Sequence, residues 1–451
     1  MSEQGTLPRG ASRPLEGVRV LELGQILAGP LATSILGWFG AEVIKVEPPG
    51  AGDPIRTWRV LEDGTSLWFR SLARNKKLVA IDLKTSEGQA LVRRLALECD
   101  VLVENFRPGT LERWGLDPEE LRAEKPELIV ARVSGFGQTG PYRERRGFAS
   151  VCEAFGGLRY VTGMPGETPV RSNVSIGDSV AAFQAVIGIL LALFRRERTQ
   201  NASREAADDR DGLAREHPGV SRGDSAGADA DADGIGRGDV IDVAIYEAVL
   251  SIMEATLTEY DRLGVVREPS GTTITGIVPT DAYPCADGRH VVIGANSDGI
   301  YRRLMETAGR SDLAGAAHLA TNDLRVTHRA ELDDAISAWT RTLPSAAVVE
   351  RLEAAGVPAG PIQSAEDLVR DPHVQSRGLF EEMEMDGRPL RLSAPGPKLS
   401  EAPGRTDWIG GDVGEHTDQA LSALHGLDRD ALEALARTGV VQRSVNPPSR
   451  R

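Results

Sequence analysis

The first fifty residues alternate strand, glycine turn, helix and strand, and this order strongly restricts the fold. Residues 17–23 (GVRVLEL) are apolar enough for a short buried strand. A turn over residues 24–30 precedes a predicted helix over 31–39, and residues 41–46 (AEVIKV) form a second predicted strand. A strand–helix–strand unit of this length belongs to a parallel sheet. The turn lacks the Gly-x-Gly-x-x-Gly fingerprint, so we predict no nicotinamide cofactor.

The same alternation continues along the next hundred residues. Residues 78–83, 101–103 and 128–133 are predicted strands, and each is followed by a loop of polar or glycine residues. Open α/β sheets bind their ligands at loops on the carboxyl ends of the strands. Residues 14–198 are therefore predicted to form the first part of a large, doubly wound α/β domain that binds its ligand at these loops.

Residues 174–196 (VSIGDSVAAFQAVIGILLALFRR) form the most apolar predicted helix of the chain. Its apolar residues recur at helical spacing: Ala182, Val186, Ile189, Leu190 and Leu193. Asp178 follows Gly177 at the N-terminal edge of this helix. Two interpretations stay open on these residues alone. Asp178 caps the exposed N–H groups of the helix, or it offers a carboxylate to a substrate that approaches closely over the glycine.

Composition and charge exclude several classes of protein. The 451 residues carry a net charge of −14, which argues against a nucleic-acid partner. Cys99, Cys152 and Cys285 are far apart and form no disulfide or zinc motif, and the histidines show no metal or triad spacing. The N-terminus has no apolar signal core, and we judge no apolar run long enough to cross a bilayer. We therefore expect a cytoplasmic protein with no membrane partner and no bound metal.

The second half of the chain divides at an unusual segment. Residues 199–238 are rich in Asp, Ala, Gly, Ser and Arg and poor in large apolar residues, so we predict a disordered acidic insert. Residues 239–264 are predicted as a strand and linker helix. Residues 265–345 are predicted as a smaller α+β domain whose hairpin turns at Asp-Gly. Residues 346–430 are predicted to return and complete the large domain.

Several side chains after the predicted strands are suited to an anionic ligand. Lys84, Arg107 and Arg113 could bind phosphates as fixed cations, or they could be ordinary solvated surface charges. Asn105 and Phe106 could offer an amide and a stacking face to a purine ring, or they could be a capped loop with a core aromatic. Each of these residues is weak evidence when taken alone.

Ten ordered segments carry a resemblance to a known family. Six lie between residues 14 and 197: PLEGVRVLELGQILAGPLAT, GAEVIKVEPPGAGDPIR, NKKLVAIDLKTSEG, VENFRPGTLERWGL, SGFGQTGP and SIGDSVAAFQAVIG. Four more lie between residues 239 and about 425: DVAIYEAVL, AYPCADGRHVVIGANSDGIYRRLM, GVPAGPI and GEHTDQ. Together they resemble the class III CoA-transferase family, which also includes formyl-CoA transferase and α-methylacyl-CoA racemase.

This resemblance implies a fold, an assembly and a set of site residues. It implies a large Rossmann-like domain built from N- and C-terminal parts, a smaller domain, and a homodimer of two interlocked chains. Asp178 matches the catalytic aspartate of the family, and no permanently bound cofactor is implied beyond coenzyme A thioesters as substrates. Positions implied to contact CoA or the substrate are Leu27, Ala28, Ile81, Lys84, Asn105, Phe106, Arg107, Arg113, Gly135 and Gly137.

Three departures from the family pattern narrow the implied activity. Pro48 stands where formyl-CoA transferase has an arginine, and Leu27 stands where it has a glutamine, so formate and oxalate are disfavoured as substrates. Phe148 replaces a histidine of the racemases and removes one of the two bases needed to invert a carbon.

The expected reaction is CoA transfer through an aspartyl-CoA thioester on Asp178. Succinyl-CoA is the expected donor, and the expected acceptor is a small dicarboxylic acid such as malate, citramalate, itaconate or mesaconate. The alternatives are an acyl-CoA epimerase of the same superfamily and a non-catalytic CoA-binding protein.

Overall fold

The structure is a computed structural model that describes residues 12–216 and 236–444. The described residues form two compact units, each built from separate stretches of the chain. The large unit draws on residues 1–156, 172–252 and 380–451, and the small unit on residues 157–171 and 253–379.

Fourteen strands occur in the described part of the chain. They are β1 (Arg19–Glu22), β2 (Glu42–Glu47), β3 (Leu61–Glu62), β4 (Thr65–Ser66), β5 (Lys76–Ile81), β6 (Val101–Glu104), β7 (Ile129–Ser134), β8 (Val240–Ala244), β9 (Thr280–Pro284), β10 (His290–Gly294), β11 (Ala359–Pro361), β12 (Phe380–Met385), β13 (Arg388–Ser393) and β14 (Val441–Gln442).

Eighteen α-helices accompany them, with two short 3₁₀ turns at Pro54–Thr57 and Ala317–Leu319. The helices are α1 (Ala28–Trp38), α2 (Leu67–Leu72), α3 (Ser86–Leu97), α4 (Thr110–Arg113), α5 (Pro118–Glu124), α6 (Ala149–Phe155), α7 (Ile176–Glu216), α8 (Ile245–Leu250), α9 (Thr256–Leu263), α10 (Asp298–Thr307), α11 (Ser311–Ala314), α12 (Asn322–Thr327), α13 (Arg329–Thr340), α14 (Ser345–Ala354), α15 (Ala365–Arg370), α16 (Pro372–Ser376), α17 (Thr417–His425) and α18 (Arg429–Arg437).

The large unit is organised around a seven-stranded sheet in the order β14-β5-β2-β1-β6-β7-β8. Its neighbours are parallel except for β14, which runs antiparallel to β5. The six parallel strands, counted along the chain, lie in the order 3-2-1-4-5-6, which doubly wound α/β sheets use. The predicted α/β architecture with a large, mainly parallel sheet is therefore confirmed.

Both faces of this sheet are covered by helices. Because successive side chains of a strand point to opposite faces, Val20 of β1 packs with α1 and α7, whereas Leu21 packs with α3, α17 and α18. Ile189 of α7 and Leu95 of α3 are fully buried on these two faces. Strands covered on both faces need near-continuous apolar runs, which is why these segments were recognisable in the sequence.

Hydroxyl side chains cap two of the helices, and the predicted hairpin turn is found. Thr85 caps α3, where its hydroxyl accepts the N–H of Gly88 at 3.0 Å. Ser364 caps α15 in a reciprocal capping box with Asp367. The predicted hairpin is also present, since β9 and β10 pair in antiparallel register across the Asp-Gly turn.

The small unit has its own sheet and core, but its bounds differ from the predicted ones. Its three-stranded sheet has the order β11-β10-β9. Val348 and Leu352 of α14 are fully buried in the core beneath that sheet, although we had assigned them to the returning segment. The unit begins near Met253 and ends near Leu379, because the chain returns to the large unit only at β12.

The insert prediction is wrong over its first part. Helix α7 continues to Glu216, where residues 199–216 were predicted to be disordered. Ten of these eighteen residues are Ala, Arg, Glu or Gln, which are strong helix formers, and this explains why the helix propagates. Residues 217–235, which make up about half of the predicted insert, lie outside the described residues.

The expectation about membrane-spanning length also needs correction. Over Ile176–Ser203, α7 is long and apolar enough, by length and composition, to cross a membrane, and 39% of its most apolar window is buried inside the protein. The buried side of this helix is explained by its packing on the sheet, where Ala181, Ala182 and Ala185 are fully buried.

Candidate active site

Asp178 lies in the first turn of α7, as the third residue of that helix. Its side chain is half-buried. An N-cap residue precedes the first helical residue, so this position does not fit the N-cap interpretation. A carboxylate here faces the partial positive charge of the helix N-terminus, which stabilises its ionised form.

Glu153 of α6 supports the start of α7. Its Oε1 accepts the N–H of Gly177 at 3.0 Å, and its side chain is almost fully buried. Gly177 is tightly packed, since a Cβ there would lie 3.2 Å from both Glu153 Cγ and Ile245 Cγ2 and would push these side chains by a few tenths of an ångström. Glu153 therefore fixes the backbone directly before Asp178. Sequence analysis missed it, because nothing separates it from an ordinary exposed helical glutamate.

Cys152 connects Asp178 to the loop that follows β7. Burial raises the pKa of the Cys152 thiol to about 12, and the nearby negative charge of Asp178 adds to the effect. The thiol donates to the backbone carbonyl of Gly135 at 3.3 Å. A Cβ on Gly147 would lie 3.0 Å from the Cys152 sulfur. The Cys152 thiol therefore stays protonated, is hydrogen-bonded to Gly135 and lies near enough to Asp178 to be affected by its charge.

The loop after β7 is held by an aspartate from the neighbouring strand. Gly137 has φ +83°, a conformation that favours glycine, and the next N–H, of Gln138, donates to Asp242 Oδ2 at 2.9 Å. Phe136 anchors the loop in an aromatic cluster, in which its ring lies 5.2 Å from that of Phe155 and 5.9 Å from that of Tyr246. Sequence analysis missed Asp242, which belongs to β8 far along the chain.

The loop after β1 is clamped by Asn105. Its Oδ1 accepts the N–H of Gln25 at 2.8 Å, and its Nδ2 donates to the carbonyl of Gln25 at 2.7 Å. Ile26 follows with φ +67°, and its N–H donates to Asp53 Oδ1 at 3.0 Å. Both polar atoms of the Asn105 amide are therefore engaged by the protein. The structure shows that Asn105 holds this loop, while one lone pair of Oδ1 and one N–H of Nδ2 are left over, so its predicted contact with a ligand stays a prediction.

A buried ionic network lies beneath the same loop and was missed by sequence analysis. Lys45 Nζ lies 2.7 Å from Glu22 and 2.8 Å from Asp53, and Lys76 Nζ lies 2.8 Å from Glu22. The two ammonium groups also donate to backbone carbonyls, Lys45 to Gly24 of the loop at 2.9 Å and Lys76 to Pro30 in the first turn of α1 at 2.7 Å. One sequence signal could have revealed this network: Glu22, Lys45 and Lys76 are charged residues within the buried strands β1, β2 and β5.

The charges of this network balance one another. Burial alone would raise the pKa of Glu22, but Lys45 and Lys76 overcome it and hold that pKa at about 2. Burial lowers the pKa of Lys76 to about 8, although Glu22 opposes that shift. The pKa of Lys45 is raised, because its two carboxylate neighbours outweigh burial. The loop before α1 is therefore held by a fully buried network of ion pairs.

Three predicted CoA contacts lie in the core. Leu27 is 5% exposed and packs with Ile55 and Phe69, and Ala28 is 2% exposed. Ile81 is 1% exposed among the apolar side chains of the opposite face of the sheet. Their side chains are therefore unavailable to a ligand, and only the backbone at these positions can serve one.

The predicted cations are exposed at the same edge of the sheet. Lys84 follows β5, and Arg107 and Arg113 follow β6; none of the three makes an ion pair with a carboxylate within the described residues. Arg107 donates to the carbonyl of Glu144 at 2.8 Å, and Arg113 donates to the hydroxyl of Thr110 at 2.9 Å. These charges remain available to an anionic ligand.

Phe106 packs differently from a free stacking platform. Its ring is half-buried and meets Trp114 edge to face, with 5.0 Å between the ring centroids. Its N–H donates to Glu104 Oε2 at 2.7 Å. Burial raises the pKa of Glu104 to about 7, against the opposing effect of its hydrogen bond from Arg132. Part of the Phe106 side chain thus packs against Trp114, and the rest is exposed to solvent.

Comparison with known proteins identifies the class to which this fold and site belong. The chain matches the family described as CoA-transferase family III over residues 15–204 and 228–417. It belongs to that family, and it is an enzyme of the CoA-transferase type.

Individual relatives match nearly the whole chain. Succinyl-CoA–D-citramalate CoA-transferase of Chloroflexus aurantiacus is 44% identical, over 95% of this chain and 98% of that protein. Human succinyl-CoA:glutarate CoA-transferase is 32% identical, over 95% and 90% of the two chains. The crystal structure of a CAIB/BAIF family protein from Brucella suis aligns with a TM-score of 0.75 at 31% identity, over 92% of this chain and 100% of that one.

Proposed function

We propose that this enzyme transfers CoA from succinyl-CoA to a small dicarboxylic acid and that Asp178 is its nucleophile. The proposal is supported by the named activities of its relatives, which act on succinyl-CoA together with citramalate, malate or glutarate. The observation that carries it is the position of Asp178, in the first turn of α7 and beside the glycine loop after β7.

The reaction needs a carboxylate that is ionised and held in place. The N-terminus of α7 favours the negative charge on Asp178, and Glu153 fixes the turn from which that side chain projects. A carboxylate suits the chemistry because donor, enzyme and acceptor then exchange acyl bonds of similar energy.

The first half-reaction has two steps. A carboxylate oxygen of Asp178 attacks the thioester carbonyl carbon of succinyl-CoA, the C–S bond breaks, and CoA leaves as a thiolate with the bonding electron pair. The thiolate then attacks the Asp178 carbonyl carbon of the resulting anhydride. The anhydride C–O bond breaks, succinate leaves, and an aspartyl-CoA thioester remains. The acceptor carboxylate reverses both steps and takes CoA away.

Each step passes through a tetrahedral oxyanion, and the glycine loop after β7 is suited to receive it. The backbone N–H groups of Gly135 and Gly137 are our candidate donors, because Cys152 and Asp242 hold this loop in place and the Cys152 thiol is affected by the charge of Asp178. The exposed cations Lys84, Arg107 and Arg113 are the candidate partners of the CoA phosphates.

We also propose a homodimer in the cytoplasm. One face of α7 carries apolar residues that are 41–64% exposed in the single chain: Phe183, Ile187, Leu190, Leu191 and Phe194. Their spacing places them on one stripe of the helix, opposite the face that packs on the sheet. A second copy of the chain would cover that stripe, and the interlocked arrangement implied by the family resemblance would do so. The three buried free cysteines are compatible with a reducing compartment.

Light scattering after gel filtration tests the assembly. A particle of twice the chain mass of 48.3 kDa is expected, and a monomer at micromolar concentration would contradict the dimer.

The activity is tested with a panel of acyl-CoA donors against dicarboxylic acceptors, read by mass spectrometry of the CoA products. Succinyl-CoA is expected to give the highest kcat/KM, with C4 and C5 dicarboxylates as acceptors. Solvent deuterium at the α-carbon of a recovered acyl-CoA, without CoA transfer, would indicate an epimerase instead. Phe148, 69% exposed at the start of α6, offers no base for that chemistry.

A further inference from the structure

Two histidines and a glutamate converge on the surface of the small unit, apart from the residues discussed above. His318 belongs to the 3₁₀ turn Ala317–Leu319, His328 directly precedes α13, and Glu331 lies in the first turn of α13. Their ligating atoms all lie within 4.8 Å of one another. The sequence spacing does not resemble a zinc motif, because nine residues, including helix α12, lie between the two histidines.

The distances between these atoms are close to those of a metal site. His318 Nε2 lies 3.1 Å from Glu331 Oε2, and His328 Nδ1 lies 3.9 Å from the same oxygen. A tetrahedral ion with bonds of about 2.0–2.1 Å sets its ligand atoms about 3.3–3.4 Å apart. The three side chains are partly exposed, so rotation about their side-chain bonds can adjust the ligand atoms towards this spacing.

The backbone that carries these ligands is firmly held. Leu319, next to His318, and Leu332, next to Glu331, are both fully buried in the core of the small unit. The ligands therefore project from fixed positions, although their side chains are 41–46% exposed to solvent. This exposure leaves the remaining coordination positions open to water.

The charged side chains around Glu331 leave its carboxylate in contact with the imidazoles of His318 and His328. Within the described residues, Glu331 has no arginine or lysine at ion-pair distance, only His318 and His328. Arg310 is near enough to feel its charge, but that guanidinium is bound to Asp312 at 2.8 Å. An exposed histidine–glutamate contact alone contributes little to stability, so it gives no strong reason for this arrangement.

We propose that His318, His328 and Glu331 bind one divalent transition-metal ion of the zinc type, with water completing the coordination. Two imidazole nitrogens with one carboxylate suit Zn²⁺ and its neighbours, whereas Mg²⁺ and Ca²⁺ require oxygen ligands. A bound ion links the 3₁₀ turn to α13 and stabilises the small unit. This inference does not depend on the proposed transferase chemistry.

Isothermal titration of the full chain with ZnCl₂ tests the site, at about pH 7.5, where free imidazole is mostly neutral. One zinc per chain is expected, together with an increase in Tm. His318→Ala, His328→Ala and the conservative Glu331→Gln should each weaken binding by about tenfold or more. His373→Ala is the matched control, because His373 is exposed and lies outside the cluster, and it should bind zinc as the parent chain does. Co²⁺ should give a visible absorption band that is lost in the His318→Ala variant.

Three outcomes would overturn the proposal. The first is the absence of zinc binding by the parent chain. The second is binding that all three substitutions leave unchanged, which would place the metal elsewhere. The third is a Co²⁺ spectrum identical in the parent and in His318→Ala. Circular dichroism confirms that each variant is folded, and the surface position of the ligands makes unfolding unexpected.

Discussion

Replacing Glu22 by Gln removes the central charge of the buried ionic network while keeping the shape of the side chain. Glu22 accepts from Lys45 and Lys76 and from the hydroxyl of Thr33 at 2.5 Å, and it is fully buried. In the variant, Lys76 loses its carboxylate partner and has only uncharged acceptors, the carbonyl of Pro30 and the amide oxygen at position 22. An ammonium without a counter-charge is then left in the core, which is costly.

The size of the effect follows from the pKa of Glu22. The difference between its ordinary value of 4.5 and its folded value of about 2 corresponds to about 3 kcal/mol of stability at neutral pH. Breaking a buried ion pair costs about 3–5 kcal/mol, which agrees with that value. Because the folded pKa is lowered, this stability is fully present above pH 4.5 and disappears as the pH falls towards 2. The difference in the free energy of unfolding between the parent and Glu22→Gln should therefore decrease as the pH falls from 4.5 towards 2.

Urea unfolding followed by tryptophan fluorescence measures this loss, since Trp38, Trp68, Trp114 and Trp408 lie in the large unit. Glu42→Gln is the matched control: it removes the same charge from a half-exposed residue of β2, paired with Arg19 at 2.7 Å, and should cost at most about 1 kcal/mol. The KM for acyl-CoA should also rise in the Glu22 variant, because the loop before α1 loses the support of the buried ionic network. A loss below about 1 kcal/mol for Glu22→Gln, or equal losses in both variants, would refute this reasoning.

Two further perturbations test the site. Arg113→Ala should raise the KM for every acyl-CoA alike by about tenfold, since a charged hydrogen bond to the common CoA moiety is lost; Arg310→Ala is the control, and an effect confined to one acyl group would mean that Arg113 reads the acid. Glu153→Ala should lower stability by about 1–3 kcal/mol, because the N–H of Gly177 loses its acceptor. Glu153→Ala should also lower kcat, and the kcat of Glu153→Gln should lie between those of the parent and Glu153→Ala. An unchanged kcat in both variants would show that Glu153 does not position Asp178.

The main sheet could be predicted because its strands are buried on both faces. Such strands appear as continuous apolar runs, and the glycine turns and helix caps between them have local signatures, as at Thr85. Composition failed over residues 199–216, where helix-forming residues continue α7 despite the scarcity of large apolar side chains. The bounds of the small unit were missed because Val348 and Leu352 could have packed on either unit, and their spacing alone does not decide between them.

The site was predictable in part for the same reason. The candidates Asp178, Lys84 and Arg107 could be selected because each stands at a helix start or shortly after a recognisable strand. Glu153, Asp242 and the partners of Glu22 could not, since their roles arise from residues that are distant in sequence and meet only in the fold. Asn105 shows a structural role that the sequence did not reveal: its amide holds the backbone of Gln25, which is distant in sequence.

The central claim is that Asp178 forms the covalent intermediate, and trapping that intermediate tests it most directly. The enzyme is incubated with succinyl-CoA, quenched with borohydride, and digested, and the peptide that contains Asp178 is examined by mass spectrometry. Reduction of an aspartyl-CoA thioester converts residue 178 to homoserine, and this product is expected only when the donor is present. Asp178→Asn should give no such product and should lose transfer by at least about 10³-fold, because an amide cannot form the anhydride. An unmodified peptide from the active enzyme, or full transfer by Asp178→Asn, would contradict the account.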